Sequence, residues 1–167
     1  GVEVNGRDCL ILGAGGSARA VAYALAQAGG RVQVLARRSA QAQELVEAIG
    51  PHLPRPLAGW LNAWPLSELA TAVAHTTAPL IVNTTPVGMS PHVEASPWPA
   101  AVPFPPDAFV YDLIYNPPTT SLMRQAQAAG CRTANGLGML LWQGAKAFEL
   151  WTGCTPDTAV MRAALGM

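Results

Sequence analysis

The sequence predicts an α/β domain, a doubly wound parallel sheet of six strands with helices on both faces. Short apolar runs alternate with longer stretches of helical periodicity. The first such run ends in a glycine cluster that opens a helix. No internal repeat or low-complexity linker divides the 167 residues, a length that suits one domain, residues 1–167.

The elements follow in order. Cys9–Leu12 reads as a buried strand ending in glycine. From Gly16 to Ala28, the positions Ala18, Val21, Ala22, Leu25 and Ala28 share one helix face, and Gly29-Gly30 stops that helix. Arg31–Ala36 alternates as a second strand. Ser39–Ile49 is a helix closed by Gly50-Pro51. A third strand is expected near Leu57–Leu61, on a weaker pattern. Leu66–Ala74 reads as helix and Leu80–Val82 as a fourth strand. Pro86–Pro106 carries seven prolines and must be an extended loop. Phe109–Tyr115 is a fifth strand, Ser121–Ala129 a helix and Cys131–Ala134 a sixth strand. Leu137–Thr152 and Asp157–Leu165 close the chain as helices.

Composition excludes several classes. Ten Lys+Arg balance ten Asp+Glu, so the basic excess of a nucleic-acid binder is missing. The longest clean apolar runs, such as Ala20–Ala26, fall far short of the roughly 18 residues of a membrane span. No stretch reads as a signal peptide. Cys9, Cys131 and Cys154 are odd in number without Cys-x-x-Cys spacing, which suits reduced thiols and a cytoplasmic location. His52, His75 and His92 show no ligand spacing and read as loop residues, so no metal site is expected. Only 12% of residues are charged, against roughly 25% in typical soluble domains, which suits a surface partly covered by something outside this chain.

Gly13-Ala14-Gly15-Gly16-Ser17-Ala18 is a G-x-G-x-x-A turn between the first strand and the first helix. Each small residue has its own task. Gly13 permits the tight turn, Gly15 admits a pyrophosphate against the backbone, and Ala18 allows close helix–strand packing. The helix N-terminus then receives the phosphate. FAD and methyl-donor sites share this turn, so the second strand must choose the ligand. Where an NAD enzyme places an acid for the ribose hydroxyl, this chain has Ala36-Arg37-Arg38-Ser39. Two guanidiniums and a hydroxyl suit the 2′-phosphate of NADP; a solvated surface pair is the alternative.

Four segments together resemble the C-terminal, NADP-binding Rossmann-like domain of shikimate dehydrogenase. They are Gly13–Ala20, Asn83-Thr-Thr-Pro-Val-Gly-Met89, Asp112-Leu-Ile-Tyr-Asn-Pro-Pro-Thr-Thr-Ser-Leu122 and Asn135–Gly153. The resemblance implies that Gly13, Ala14, Gly15, Gly16 and Ser17 hold the pyrophosphate. It sets Ala36–Gln41 against the family's Asn-Arg-Thr-x-x-Arg/Lys segment around the adenosine phosphate. Only Arg37 matches strictly. Ala36, Arg38 and Gln41 depart from that pattern, with Arg38 replacing the charge missing at Gln41. Asn83 and Thr84 fall at the carboxyl edge of the sheet, with Thr85 equally readable as a polar turn residue. Leu113 and Gly136 match positions near the nicotinamide, although Leu113 also reads as strand core. Tyr115 and Gln143 match contacts to shikimate. Gln143 shares a helix face with Leu140, Ala147 and Leu150, so it reads equally as a buried, satisfied amide; Tyr115 equally reads as a loop cap. Asp112 and Thr120 read as structural, with Thr120 capping the helix at Ser121.

The implied reaction is reversible hydride transfer between NADPH and 3-dehydroshikimate, a step toward chorismate and the aromatic amino acids. In the family a Lys–Asp pair on an N-terminal substrate domain moves the proton. The only lysine here, Lys146, matches no catalytic position. The expectation is therefore a cofactor half, without that substrate domain, inactive alone and sharing its substrate with the domain it lacks. The alternatives are a quinate-type relative using NAD, a non-enzymatic NADP(H)-binding module and a glutamyl-tRNA reductase-like domain. The neutral charge disfavours the last of these.

Overall fold

The computed structural model describes residues 2–53 and 60–167. Six strands form one parallel sheet: β1 (Asp8–Leu12), β2 (Arg31–Ala36), β3 (Leu61–Pro65), β4 (Leu80–Asn83), β5 (Phe109–Asp112) and β6 (Arg132–Ala134). Their order is β3-β2-β1-β4-β5-β6. The helices are α1 (Gly16–Gln27), α2 (Ser39–Ile49), α3 (Leu69–Val73), α4 (Ser121–Ala128), α5 (Leu137–Thr152) and α6 (Thr158–Ala164).

Strand alternation divides the core in two. Cys9, Ile11, Val32, Val34 and Val82 point to the face covered by Ala18, Ala22 and Ala26 of α1 and Ala42, Leu45 and Ile49 of α2. Leu10, Leu12, Leu35, Ile81 and Val110 point to the other face, against Leu69 of α3, Leu122 and Ala126 of α4, and Trp98. Alanine at every fourth position lets α1 lie close to the sheet. All three cysteines are free. Burial pushes the Cys9 thiol up to about 11, which fits a core residue rather than a reactive one. No helix among the described residues is long and apolar enough to cross a membrane.

Several boundaries differ from the sequence expectation by a residue or so. The expected helix Leu66–Ala74 is a 3-10 turn at Leu66–Glu68 followed by α3. Three further differences have a local physical reason. The third strand runs Leu61–Pro65; of the expected Leu57–Leu61, residues 57–59 lie outside the described residues. As an edge strand, β3 is only partly covered and shows a weak apolar pattern. The fifth strand stops at Asp112, because the Asp112 carboxylate takes the Ile114 N–H and turns the chain. On α1 the buried face ends at Ala26. Ala28, expected on that face, is the exposed residue that terminates the helix.

Candidate functional site

All six strands are parallel, so their carboxyl ends share one edge. The chain leaves β1 toward β2 on one side, and β4 lies on the other side of β1. This reversal opens a crevice at the β1–β4 boundary, where open α/β sheets bind ligands. Backbone bonds prolong the sheet beyond the strand ends. The Gly13 N–H donates to Leu35 O at 2.8 Å, Thr84 N–H to Leu12 O at 3.0 Å, and Leu113 N–H to Asn83 O at 3.0 Å. The Thr84 hydroxyl also donates to Leu12 O, at 2.7 Å.

Gly13 has φ +111°, and a Cβ there would meet the Thr84 hydroxyl oxygen at 2.7 Å, so a side chain is excluded twice over. Gly15 and Gly16 are small for another reason. A Cβ on either would meet nothing within 4 Å. Protein packing therefore does not require these glycines, and the space beside them is available to a ligand. Helix α1 begins here with no side-chain cap and no acidic residue in its first turn. Its first N–H groups and positive dipole end remain for an anion.

A cleft of about 510 Å³ joins this turn to the end of β2. It brings together Gly13, Ala14, Gly15, Ala36, Arg37, Arg38, Gln41 and Thr84. Arg37 and Arg38 are exposed, and among the described residues neither has an acidic partner within 4 Å. The cleft thus combines a neutral cradle for a pyrophosphate with two free guanidiniums for a further phosphate. An adenine dinucleotide bearing a 2′-phosphate fits that set. A second cleft of about 540 Å³ adjoins it through Thr84, Thr85 and Pro86 and includes Ser17, Leu113 and Tyr115.

The remaining expected residues lie outside both linings. Gly16 and Ser39 are the first residues of α1 and α2. Gly136 packs beneath Leu113, where a Cβ would lie 2.6 Å from the Leu113 carbonyl carbon. Asn83 is fully buried and turned inward. Its Nδ2 donates to Asp112 Oδ1 at 2.9 Å, while its Oδ1 accepts the Thr85 hydroxyl at 2.7 Å. Asp112, also fully buried, accepts the Ile114 N–H at 3.0 Å and the Thr120 hydroxyl at 2.7 Å. Thr120 in turn caps α4 by accepting the Met123 N–H. Burial raises the Asp112 carboxyl above its ordinary range, against the lowering effect of Thr120, Ile114 and Asn83.

The buried amide expected at Gln143 is not there. Gln143 is exposed, because α5 buries Leu141 and Ala145 and turns Gln143 and Leu150 to solvent. Lys146 pairs with Glu149 at 2.7 Å on the exposed surface. Leu66, Val87, Ser96 and Pro97 line the first cleft without having been singled out from sequence, and nothing in their local pattern marks them.

Fold and cleft together define a Rossmann-type domain with the form of a dinucleotide site. Residues 136–165 match the family model described as the shikimate 5'-dehydrogenase C-terminal domain. Over 96% of its length the chain is 45% identical to shikimate dehydrogenase (NADP(+)) of Moorella thermoacetica, spanning 53% of that protein. The shikimate 5-dehydrogenase of Thermus thermophilus, solved with NADP(H) and shikimate, superposes with TM-score 0.78 at 41% identity. That match covers 98% of this chain and 56% of the other. Quinate dehydrogenase from Corynebacterium glutamicum, solved with NAD, gives TM-score 0.79 at 31% identity, over 94% of this chain and 54% of that one. The chain is a homologue, over nearly its whole length, of the shikimate dehydrogenases, and corresponds to their C-terminal part. It spans about half the length of the curated relatives it matches.

Proposed function

We propose that residues 1–167 form the NADP(H)-binding domain of a shikimate dehydrogenase, and that the intact protein reversibly reduces 3-dehydroshikimate to shikimate. The observation that carries the reading is the pair of guanidiniums, Arg37 and Arg38, without acidic partners among the described residues, beside a glycine cradle with open space around it. When bound, the nicotinamide supplies or accepts the hydride. The chain's own part is binding and orientation. The α1 N-terminus and Gly13–Ser17 hold the pyrophosphate, Arg37 and Arg38 hold the 2′-phosphate, and Gln41 lines the same end of the cleft. Leu113, packed over Gly136, forms the floor of the second cleft, where the nicotinamide meets its substrate. Tyr115 borders that cleft, and Gln143 takes a shikimate contact from its exposed place on α5.

The titratable residues lining the two clefts are Arg37, Arg38 and Tyr115. None forms a Lys–Asp pair, so the reading assigns proton transfer to the rest of the intact protein. The free cysteines support a cytoplasmic location. The test is calorimetric titration with NADP+ and NAD+ in parallel. NADP+ binding at least ten-fold tighter, about 1.4 kcal/mol, upholds the arginine reading. A second reading, a quinate-type enzyme using NAD, draws on the likeness to the Corynebacterium glutamicum protein. NAD+ binding as tight as NADP+ favours it.

A further inference from the structure

One wall of the first cleft comes from far along the chain. Ser96 and Pro97, within the proline-rich connection between β4 and β5, line the cleft together with Arg37 and Arg38 from the β2 end. A long connection of this kind has no reason of its own to stay in place. Here it is fastened at both sides of the wall. On the core side, the Trp98 ring is buried and stacks on Phe104 with centroids 4.5 Å apart, and its Nε1 donates to Val102 O at 2.8 Å. On the helix side, the Ser96 hydroxyl donates to Gln125 Oε1 at 2.7 Å, and the Trp98 N–H donates to the Ser96 oxygen at 3.2 Å. The neighbouring Arg124 reaches Glu94 Oε2 at 3.1 Å, an exposed pair of small weight.

The Ser96 hydroxyl is therefore spent on the fold and is not offered to a ligand. Its work is to hold the wall, and its partner Gln125 is half-buried on α4 outside both cleft linings. Resting on the cofactor reading above, we infer that Gln125 is a positioning residue for the adenosine half of the dinucleotide, acting through Ser96 to keep the cleft wall in its binding position before the ligand arrives. A wall in place only part of the time lowers apparent affinity by the fraction of time it is in place. The net worth of one neutral hydrogen bond corresponds to about a 3- to 10-fold change in that balance.

The experiment compares the unaltered chain with Gln125→Ala and Gln125→Glu, titrating each with NADP+ and with 2′,5′-ADP, which carries only the adenosine-phosphate half. Glutamate keeps an oxygen able to accept from Ser96. Gln125→Ala is expected to weaken both ligands by the same factor, up to about 10-fold, with Gln125→Glu restoring affinity and the circular-dichroism melting midpoint falling by no more than a few degrees. Equal affinity of Gln125→Ala and the unaltered chain overturns the inference while leaving the cofactor reading intact. A loss confined to NADP+, or one that Gln125→Glu fails to restore, also overturns it. Absence of dinucleotide binding by the unaltered chain overturns the cofactor reading, and this inference with it.

Discussion

Two regions at the same sheet edge are built on opposite principles. Under the β4 and β5 ends, Asn83, Asp112 and Thr120 are completely buried and tied to one another by hydrogen bonds. At the β2 end, Arg37 and Arg38 are exposed without an acidic partner among the described residues, beside glycines whose missing side chains nothing replaces. Polar groups satisfied by protein hold the frame. Polar groups and space left unsatisfied mark where a ligand belongs. Both regions are polar, yet among the described residues only the second leaves its charged groups without a protein partner.

The largest effect should come from breaking the frame. Asp112→Ala leaves the Asn83 amide, the Ile114 N–H and the Thr120 hydroxyl without their acceptor, and should cost about 3 kcal/mol or more in urea unfolding. Asp112→Asn should cost far less, since its amide can donate to Thr120 while its oxygen still accepts from the other two. The pH dependence has a definite sign. Burial raises the folded-state carboxyl, so its stabilising contribution is complete below the unfolded value and is lost as pH rises through the folded one. The parent chain should therefore gain stability relative to Asp112→Asn as pH falls from about 7 toward about 4, read from paired urea midpoints.

Next in size is a variant that separates the two principles within one turn. Gly15→Ala places a methyl group in open space at a residue with φ −86°, an ordinary conformation for alanine. Stability should hold or rise by about 0.5 kcal/mol, while NADP+ affinity falls by roughly 30-fold or more. A variant that lost both together would show that the cradle is frame rather than site. Smaller still, Arg37→Ala with Arg38→Ala should lower the preference for NADP+ over NAD+ by about ten-fold, an effect that shrinks in high salt. The melting temperature should stay the same. Least of all, Gln143→Ala should change stability by less than about 0.5 kcal/mol and leave NADP+ affinity alone, because the side chain is exposed and lies outside both clefts.

The same contrast explains what the sequence could tell. The buried strands β1, β2 and β4 and the turn at Gly13 were legible because local chemistry determines them: an apolar run, a positive φ, a helix start. The Thr120 cap was legible for the same reason. The third strand begins where the expected one ends, at Leu61, because an edge strand containing Trp64 and Pro65 lacks the apolar run of a central one. Gln143 was misplaced because periodicity marks an apolar face on α5 without saying which face meets the core; Leu150 and Trp151 lie 74% and 85% exposed. Ser96 and Gln125 stand 29 positions apart, and no local signal links a loop serine to a helix glutamine.

The bond from Thr84 to Leu12 closes a separation of 72 positions. It joins the two strands between which the crevice opens, and α1, β2, α2, β3 and α3 all lie between them in the chain. The crevice is thus among the most non-local objects in the molecule, and a chain folded only as far as β3 contains the glycine turn and both arginines but no crevice to place them in. Such long closures come late and slowly. A ligand that needs the crevice recognises the finished topology rather than any segment of it, so its occupancy counts completed molecules.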